Sequence, residues 1–284
     1  MALPRRPDSR ALLAAPALVG FAANSLLCRM ALRPALIDPF TFTTVRLASG
    51  ALVLSLLALA AAPPAAVARA GRWRSAAALF GYALAFSAAY VEIGAGVGAL
   101  LLFGSVQATM LGWAIAAGQR PSAREWAGLA LALAGLVGLV LPGLSAPAPR
   151  GAALMVAAGI AWGIYTLRGR DSGSPLATTA GNFLLTVPMT IALSLLAWPT
   201  SHARPGGLAL AATSGAIASG LGYTLWYAAL PALGAARAAI VQLAVPVLTA
   251  AAGVVLLGEA VTPRLVACAA TILCGVALAI VRRR

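Results

Sequence analysis

Ten apolar runs, near residues 11–31, 39–60, 75–93, 96–117, 123–141, 151–168, 175–198, 207–229, 236–257 and 263–281, follow one another with only short polar punctuation. Each has about the length a helix needs to cross the hydrocarbon core of a bilayer. Of the 284 residues, 62% are hydrophobic and 9% are charged, against roughly 45–50% and about 25% in a soluble domain. Lipid is the solvent that fits such a composition, and the fold class expected is an all-α integral membrane protein of ten transmembrane helices. The first run follows Arg5, Arg6 and Arg10 as a signal peptide would. Its length, the lack of a small-residue cleavage site and the nine runs behind it favour a retained first helix.

The formal net charge of +14 comes from twenty arginines and no lysine. In a soluble chain this would point to nucleic acid, but no basic stripe with interleaved aromatics is present. Spread over short loops, the arginines report topology instead. With the N-terminus inside, fourteen of them (Arg5, Arg6, Arg10, Arg69, Arg72, Arg74, Arg120, Arg124, Arg168, Arg170, Arg237 and Arg282 to Arg284) fall on the cytoplasmic side. Five (Arg29, Arg33, Arg150, Arg204 and Arg264) fall outside, and Arg46 lies within a span. The positive-inside rule therefore puts both termini in the cytoplasm of a multi-pass protein in the cell (inner) membrane. Trp73, Trp113, Trp126, Trp198 and Trp226 lie near predicted span ends, where an interfacial aromatic belt would place them.

Sliding the chain against itself by 139–140 residues aligns GFAANSLLCR (20–29) with GIAWGIYTLR (159–168). The same offset aligns ALVLSLLA (51–58) with TIALSLLA (190–197), and GQRPSAR (118–124) with GEAVTPR (258–264). Several matches in order at nearly one offset indicate a repeat, with a first unit at 11–141 and a second at 151–281. Five spans per unit is an odd number, so the second unit enters the membrane upside down. Inverted repeats of this kind are characteristic of secondary transporters, whose site lies near the midplane between the halves.

Within the second half, residues 220–280 resemble the EamA domain of the drug/metabolite transporter superfamily. The features that carry the resemblance are G-x-x-x-W-Y-x-A-L (222–230), Gly-Ala-x-Arg before the ninth span, the mid-span Pro246, Gly258-Glu259 and the closing small-residue helix. In the first half, Asp38-Pro39 followed by Arg46 also looks like that family. The resemblance implies two inverted EamA repeats around a central cavity lined mainly by spans 1, 3, 4, 6, 8 and 9. It also implies the movement of a small molecule, commonly an exported amino acid or metabolite, in some members a drug. The first repeat departs from the pattern, with Val106 where the second has Pro246 and Gln119 where it has Glu259.

The polar residues inside spans are few enough to be weighed singly. Arg46 costs ~2.5–3.5 kcal/mol at mid-membrane unless paired or hydrated. It is read either as a structural arginine, bonded to backbone carbonyls or Glu92, or as an anchor for a substrate carboxylate or phosphate. Asn24, Gln107, Asn182 and Gln242 each need a partner; interhelical bonding and cavity lining both remain open. The resemblance favours the cavity for Asn24, Gln107 and Gln242. Tyr223, Trp226 and Tyr227 share one face of span 8 and fit either an interfacial belt or a wall at the inner mouth. Trp162 and Tyr165 lie deeper in span 6. Tyr90 is a candidate outer gate, and Pro246, beside Gln242, marks span 9 as a moving element.

Catalysis lacks parts. The acidic residues are Asp8, Asp38, Glu92, Glu125, Asp171 and Glu259, all in loops or near span ends, and the single histidine is His202. Cys28, Cys268 and Cys274 show no metal or disulfide spacing, so neither an enzyme nor a metal or other cofactor is expected. Coupling is open among facilitated movement, exchange and protons taken through Glu92. The leading reading is an exporter of amino acids or related metabolites by alternating access. Multidrug efflux and a membrane scaffold or partner subunit without transport are the alternatives. The lipid bilayer and a small-molecule substrate are the expected partners, nucleic acid is not, and a homo-oligomer is compatible with the sequence.

Overall fold

The computed structural model describes residues 9–93, 95–140, 148–170, 172–257 and 261–280. Asp8, Asp171, Gly258 and Glu259 lie outside these residues. Among them the chain forms thirteen α-helices. The first half holds α1 (Ala14–Leu32), α2 (Pro39–Ala61), α3 (Pro64–Ala70), α4 (Trp73–Glu92), α5 (Ala95–Ala116) and α6 (Ala123–Val140). The second holds α7 (Pro149–Gly169), α8 (Pro175–Ala197), α9 (Pro205–Thr213), α10 (Gly222–Leu233), α11 (Ala235–Val241), α12 (Val245–Leu257) and α13 (Pro263–Ile280).

Six of these helices begin on a proline. Proline suits the first helical position because its ring presets φ and its missing N–H would have no intrahelical partner there. Asp38 shows how such a start is sealed. Its Oδ1 accepts from the N–H groups of Phe40 at 3.0 Å and Thr41 at 2.9 Å. Its Oδ2 accepts from the N–H of His202 at 2.9 Å, which ties the loop before α2 to the loop after α8. Burial would raise its carboxyl pKa, but hydrogen bonds from Thr41, His202 and Phe40 outweigh that and hold it below the usual carboxylate value. A lowered folded-state pKa gives stability that is present above the unfolded pKa of about 3.9 and lost as pH falls through the folded one. Asp38→Ala is therefore expected to cost about 1 kcal/mol at neutral pH. The gap in melting temperature between the two proteins in detergent should close as the pH falls through the lowered folded-state pKa.

Nine stretches among the described residues are long and apolar enough to cross a membrane. They correspond to nine of the ten runs read from the sequence. The remaining run is α6, whose first turn carries Arg124 and Glu125 and which packs along α13. The pairing of helices obeys the exchange of each span with the span five later. The fifth packs on the tenth (α6 on α13) and the second on the seventh (α2 on α8). The third packs on the sixth (α4 on α7) as the eighth does on the first (α9–α10 on α1). The fourth packs on the sixth (α5 on α7) as the ninth does on the first (α12 on α1). These contacts cross between the halves, so the repeats interdigitate. The protein is an all-α membrane fold of two inverted repeats.

Small residues allow the closest crossings. A Cβ on Gly128 would lie 2.5 Å from the carbonyl oxygen of Gly275, and one on Gly275 equally close to that of Gly128. Gly159 and Gly163 sit against Leu102, Ser105 and Thr109 of α5 in the same manner. The outer surface carries large apolar side chains, with Leu196 83%, Val255 79% and Leu195 71% exposed. An apolar coat of this kind is suited to lipid and costly in water.

Two spans are not continuous α-helices. Between α9 and α10, Ser214–Leu221 is a π-helix, and between α11 and α12, Gln242–Ala244 is a turn of 3₁₀-helix. Span 8 therefore runs from Pro205 to Leu233 rather than over 207–229. That extension corrects the aromatic belt. Trp73, Trp113, Trp126 and Trp198 are 37–76% exposed, whereas Trp226 is fully buried, because the helix continues seven residues past it. The short helix α3, which lies against α8, is an element the hydropathy pattern does not announce.

Candidate functional site

The most demanding residue in the bundle is Arg46 on α2, with no exposed surface. Its Nε donates to the Ser219 hydroxyl at 2.9 Å and its Nη2 to the Tyr223 hydroxyl at 2.6 Å. Its guanidinium carbon lies 5.4 Å from the Tyr82 ring centroid and 5.9 Å from that of Phe86, within cation–π range. Nη1 is buried without a hydrogen-bond partner. Of the two structural readings from sequence, neither backbone carbonyls nor Glu92 holds this side chain; hydroxyls and rings of spans 3 and 8 do. Glu92 lies at the end of α4, its Oε1 3.4 Å from Nε of the exposed Arg150.

The polar chain extends through Asn24, buried on α1, whose Oδ1 accepts from Ser214 Oγ at 2.5 Å and Ser219 Oγ at 3.4 Å. In an α-helix, residues five apart point about 140° away from each other. The i→i+5 bonding of a π-helix brings them into line, and Ser214 and Ser219 thereby reach the same amide. π-Helical turns collect at functional sites because they re-aim side chains in this way.

Next to this chain stands a cluster of aromatic rings. Phe21 lies edge-on to Trp162, Tyr223 and Trp226 at centroid distances of 5.1, 5.6 and 5.4 Å. Trp162 also packs on Tyr82 at 4.9 Å and Tyr223 at 4.7 Å. The Trp162 indole N–H donates to Gln242 Oε1 at 2.6 Å, at the 3₁₀ break in span 9. Gln242 Nε2 in turn reaches the carbonyl of Ala238 at 3.2 Å. Gln107 on α5 donates to the carbonyl of Ala239 at 2.6 Å, and its Oε1 is buried and unpartnered. Spans 4, 6 and 9 are thus pinned together where span 9 is interrupted, two residues before Pro246 reaches the start of α12.

A cavity of about 30 Å³ lies among these groups. Asn24, Trp162, Tyr223 and Gln242 line it, together with Phe21, Ser25, Tyr82 and Phe86. Arg46, Gln107, Tyr165 and Trp226 stand behind the lining. That volume suits a water molecule, so admitting a metabolite requires the helices to part. Toward the face on which α1 begins, the way is filled by Tyr165, Trp226 and Tyr227. Tyr227 donates to the carbonyl of Tyr165 at 2.9 Å, Trp226 reaches the Thr166 hydroxyl at 3.4 Å, and the Tyr227 ring lies against Gly169. Tyr90, partly buried at the far end of α4, stacks edge-on with Phe86 at 4.7 Å.

Sequence reasoning missed Phe21, Tyr82, Phe86, Ser214 and Ser219. A signal did exist for α4, where Tyr82, Phe86 and Tyr90 recur every four residues and form one face. For Ser214 and Ser219 no α-helical periodicity could have brought the two together.

The arrangement can hold an anion. It has a buried cation with one unpartnered nitrogen, hydroxyls beside it, and aromatic walls for an apolar portion. Three likenesses to known proteins bear on it. Residues 149–281 match the family described as "EamA-like transporter family". An uncharacterized protein of Pseudomonas aeruginosa is 52% identical over 279 residues, spanning 98% of this chain and 96% of that protein. A crystal structure of another protein superimposes with a TM-score of 0.81 over 97% of this chain and 98% of its own, at 20% identity, a likeness of fold alone. The family is one of membrane transporters, and to it, the EamA-like transporter family of the drug/metabolite superfamily, this multi-pass chain belongs.

Proposed function

We propose that the protein exports small carboxylate-bearing metabolites, amino acids among them, across the cell inner membrane, with both termini cytoplasmic. Alternating access around the midplane cavity is the mechanism, and the bodies that move are the two groups the interdigitated repeats form, spans 3, 4 and 6 on one side and spans 1, 8 and 9 on the other. The observation that carries the reading is the buried Arg46 guanidinium with Nη1 unpartnered. A cation removed from water without an opposing charge costs several kcal/mol. A substrate carboxylate arriving at Nη1 offsets that cost and restores the missing bond. Asn24, Trp162, Tyr223 and Gln242 contact the rest of the substrate in this reading, and Gln107, Tyr165 and Trp226 support them. Tyr90 on one side governs admission, and Pro246 beside the 3₁₀ break supplies the bend.

The cationic centre argues against multidrug efflux of lipophilic cations, since no carboxylate among the described residues lines the cavity to attract them. The test is metabolite profiling of the medium of cells overproducing the protein, with empty vector as the reference. Selective accumulation of a few carboxylates supports export. Accumulation of none, with uptake of the same compounds, reverses the direction assigned, and movement of nothing returns the protein to a scaffold role.

Coupling through Glu92 is the weaker option, because that carboxylate is engaged with the exposed Arg150 at a helix end and does not line the cavity. Exposed pairs are worth about 0–1 kcal/mol. Glu92→Gln is accordingly expected to change the transport rate less than about twofold. Its pH profile, measured in proteoliposomes, should overlay that of the unsubstituted protein; a flattened profile would restore Glu92 as the proton carrier.

A further inference from the structure

We propose a phosphate-binding site, separate from the central cavity, where the first half of the chain meets the second on the face on which α1 begins. A cavity of about 200 Å³ opens there, lined by Arg69, Arg72, Ser75, Arg168, Ser174 and Thr178, with Ser172 and Gly173 at its edge. Three guanidiniums share this space, and among the described residues no carboxylate pairs with any of them. Asp171, next to Ser172 in the chain, lies outside the described residues; a single carboxylate there would still leave the sum positive.

The fold builds this cluster deliberately from both halves. Gly71 and Gly181 touch backbone to backbone, so that a Cβ on Gly181 would lie 2.5 Å from the Gly71 nitrogen. The Arg72 N–H donates to Asn182 Oδ1 at 3.0 Å. These contacts fix the start of α4 against α8 and leave the Arg72 side chain to the cavity. Arg168, in the last turn of α7, is aimed by its Nε donating to the buried Ser75 hydroxyl at 3.1 Å. The Ser172 hydroxyl is buried and has no partner. The N-terminal ends of α4 and α8 both open here. Helix α8 begins on Pro175 and is capped by the Ser174 hydroxyl, which accepts from the Ala177 N–H, whereas α4 has no side-chain cap, so the first N–H groups of α4 add to the positive field.

Planar arginine forks with hydroxyls between them match the oxygens of a phosphate better than a halide or an isolated carboxylate. The phosphate could belong to a lipid headgroup at the membrane surface or to a soluble ester; the recognising chemistry is the same. Because Arg69 and Arg72 come from one half and Arg168 and Ser172 from the other, a bound phosphate ties α3 and the start of α4 to the end of α7 and the segment leading into α8, helices that already pack together here.

The test uses the full chain in a neutral detergent and follows its melting temperature by tryptophan fluorescence. The probes are inorganic phosphate at constant ionic strength, and phosphatidylglycerol compared with phosphatidylcholine. Either anionic probe is expected to raise the melting temperature by about 3 °C or more. The rise should be absent in the double variant Arg72→Gln/Arg168→Gln and retained in Arg120→Gln, which removes an exposed arginine elsewhere. A rise with phosphatidylglycerol alone assigns the site to a lipid headgroup, and a rise with inorganic phosphate as well assigns it to a soluble phosphate. No rise with either probe, or an equal rise in the double variant, overturns the proposal. The readout is the shift within each variant, so a lower starting stability of the double variant does not obscure it.

Discussion

Arg46→Gln is expected to lower transport more than about hundredfold while leaving the protein inserted and at least as stable as before. The two halves of that expectation come from opposite sides of one energy balance. In the absence of substrate, Arg46 is a fully buried cation whose Nη1 has no partner and whose other bonds go to neutral hydroxyls. Desolvating an ion costs several kcal/mol, and hydroxyls and aromatic faces return only part of it. A neutral glutamine relieves that cost, and its amide still reaches toward Ser219, so the melting temperature should hold or rise. With a carboxylate bound the balance reverses. Losing one partner of a desolvated charge pair typically costs 2–5 kcal/mol, and each 1.4 kcal/mol is about tenfold. Arg46→Lys should recover little of this, because an ammonium cannot hold Ser219, Tyr223 and a carboxylate at once as the planar guanidinium does. Efflux measured beside melting temperature separates the readings. A variant that is stable and inactive supports the anchor. One that falls apart assigns Arg46 to the scaffold, and one that transports at the original rate removes it from the site altogether.

How much of this was legible in the sequence follows from which physical signals are local. Hydrophobic runs and arginine asymmetry are properties of short windows, so the ten-span plan could be read directly. The repeat could be read because its offset is constant. Arg46 and Gln242 stood out because polar atoms inside apolar runs are rare and must be partnered. The identities of the partners were not legible, since Ser214 and Ser219 are brought into line only by a π-turn. A π-turn is a compromise between the packing of α1 and α2 on span 8 and leaves no periodic trace. Trp226 was misplaced for a related reason: a window of apolar residues gives a span's length to within a few residues, and Leu230 to Leu233 extend span 8 by a turn. Phe21 carried no signal of its own, being one apolar residue among many until Trp162, Tyr223 and Trp226 surround it.

Gly215→Ala is expected to destabilise the fold by about 3 kcal/mol, a fall of roughly 6–12 °C in melting temperature, and to disable the site at the same time. Gly215 lies in the π-helix directly against α2. A Cβ there would collide with the carbonyl oxygen of Arg46 and with Ser49 Oγ. Neither can step aside. The first is helix backbone, and the Ser49 hydroxyl is engaged with the carbonyls of Arg46 and Ala212, each at 3.1 Å. On the facing side, a Cβ on Gly50 would collide with the Phe183 ring and lie 3.0 Å from the Gly215 carbonyl oxygen. The added methyl must therefore push the π-segment off α2, and with it Ser219 and Tyr223, the two groups that hold the Arg46 guanidinium. Two other glycines calibrate the result. Gly20→Ala would bring its Cβ to 3.1 Å from the Ala218 carbonyl, a contact that small adjustments absorb. Gly81, mid-helix in α4, has nothing within 4 Å, so alanine there should be neutral or stabilising by up to about 1 kcal/mol. Melting temperatures in the order Gly81→Ala, Gly20→Ala, Gly215→Ala, from highest to lowest, are the expected outcome. If Gly215→Ala melted with Gly81→Ala, the close approach of span 8 to span 2 would be wrong, and so would the route by which Ser219 and Tyr223 reach Arg46.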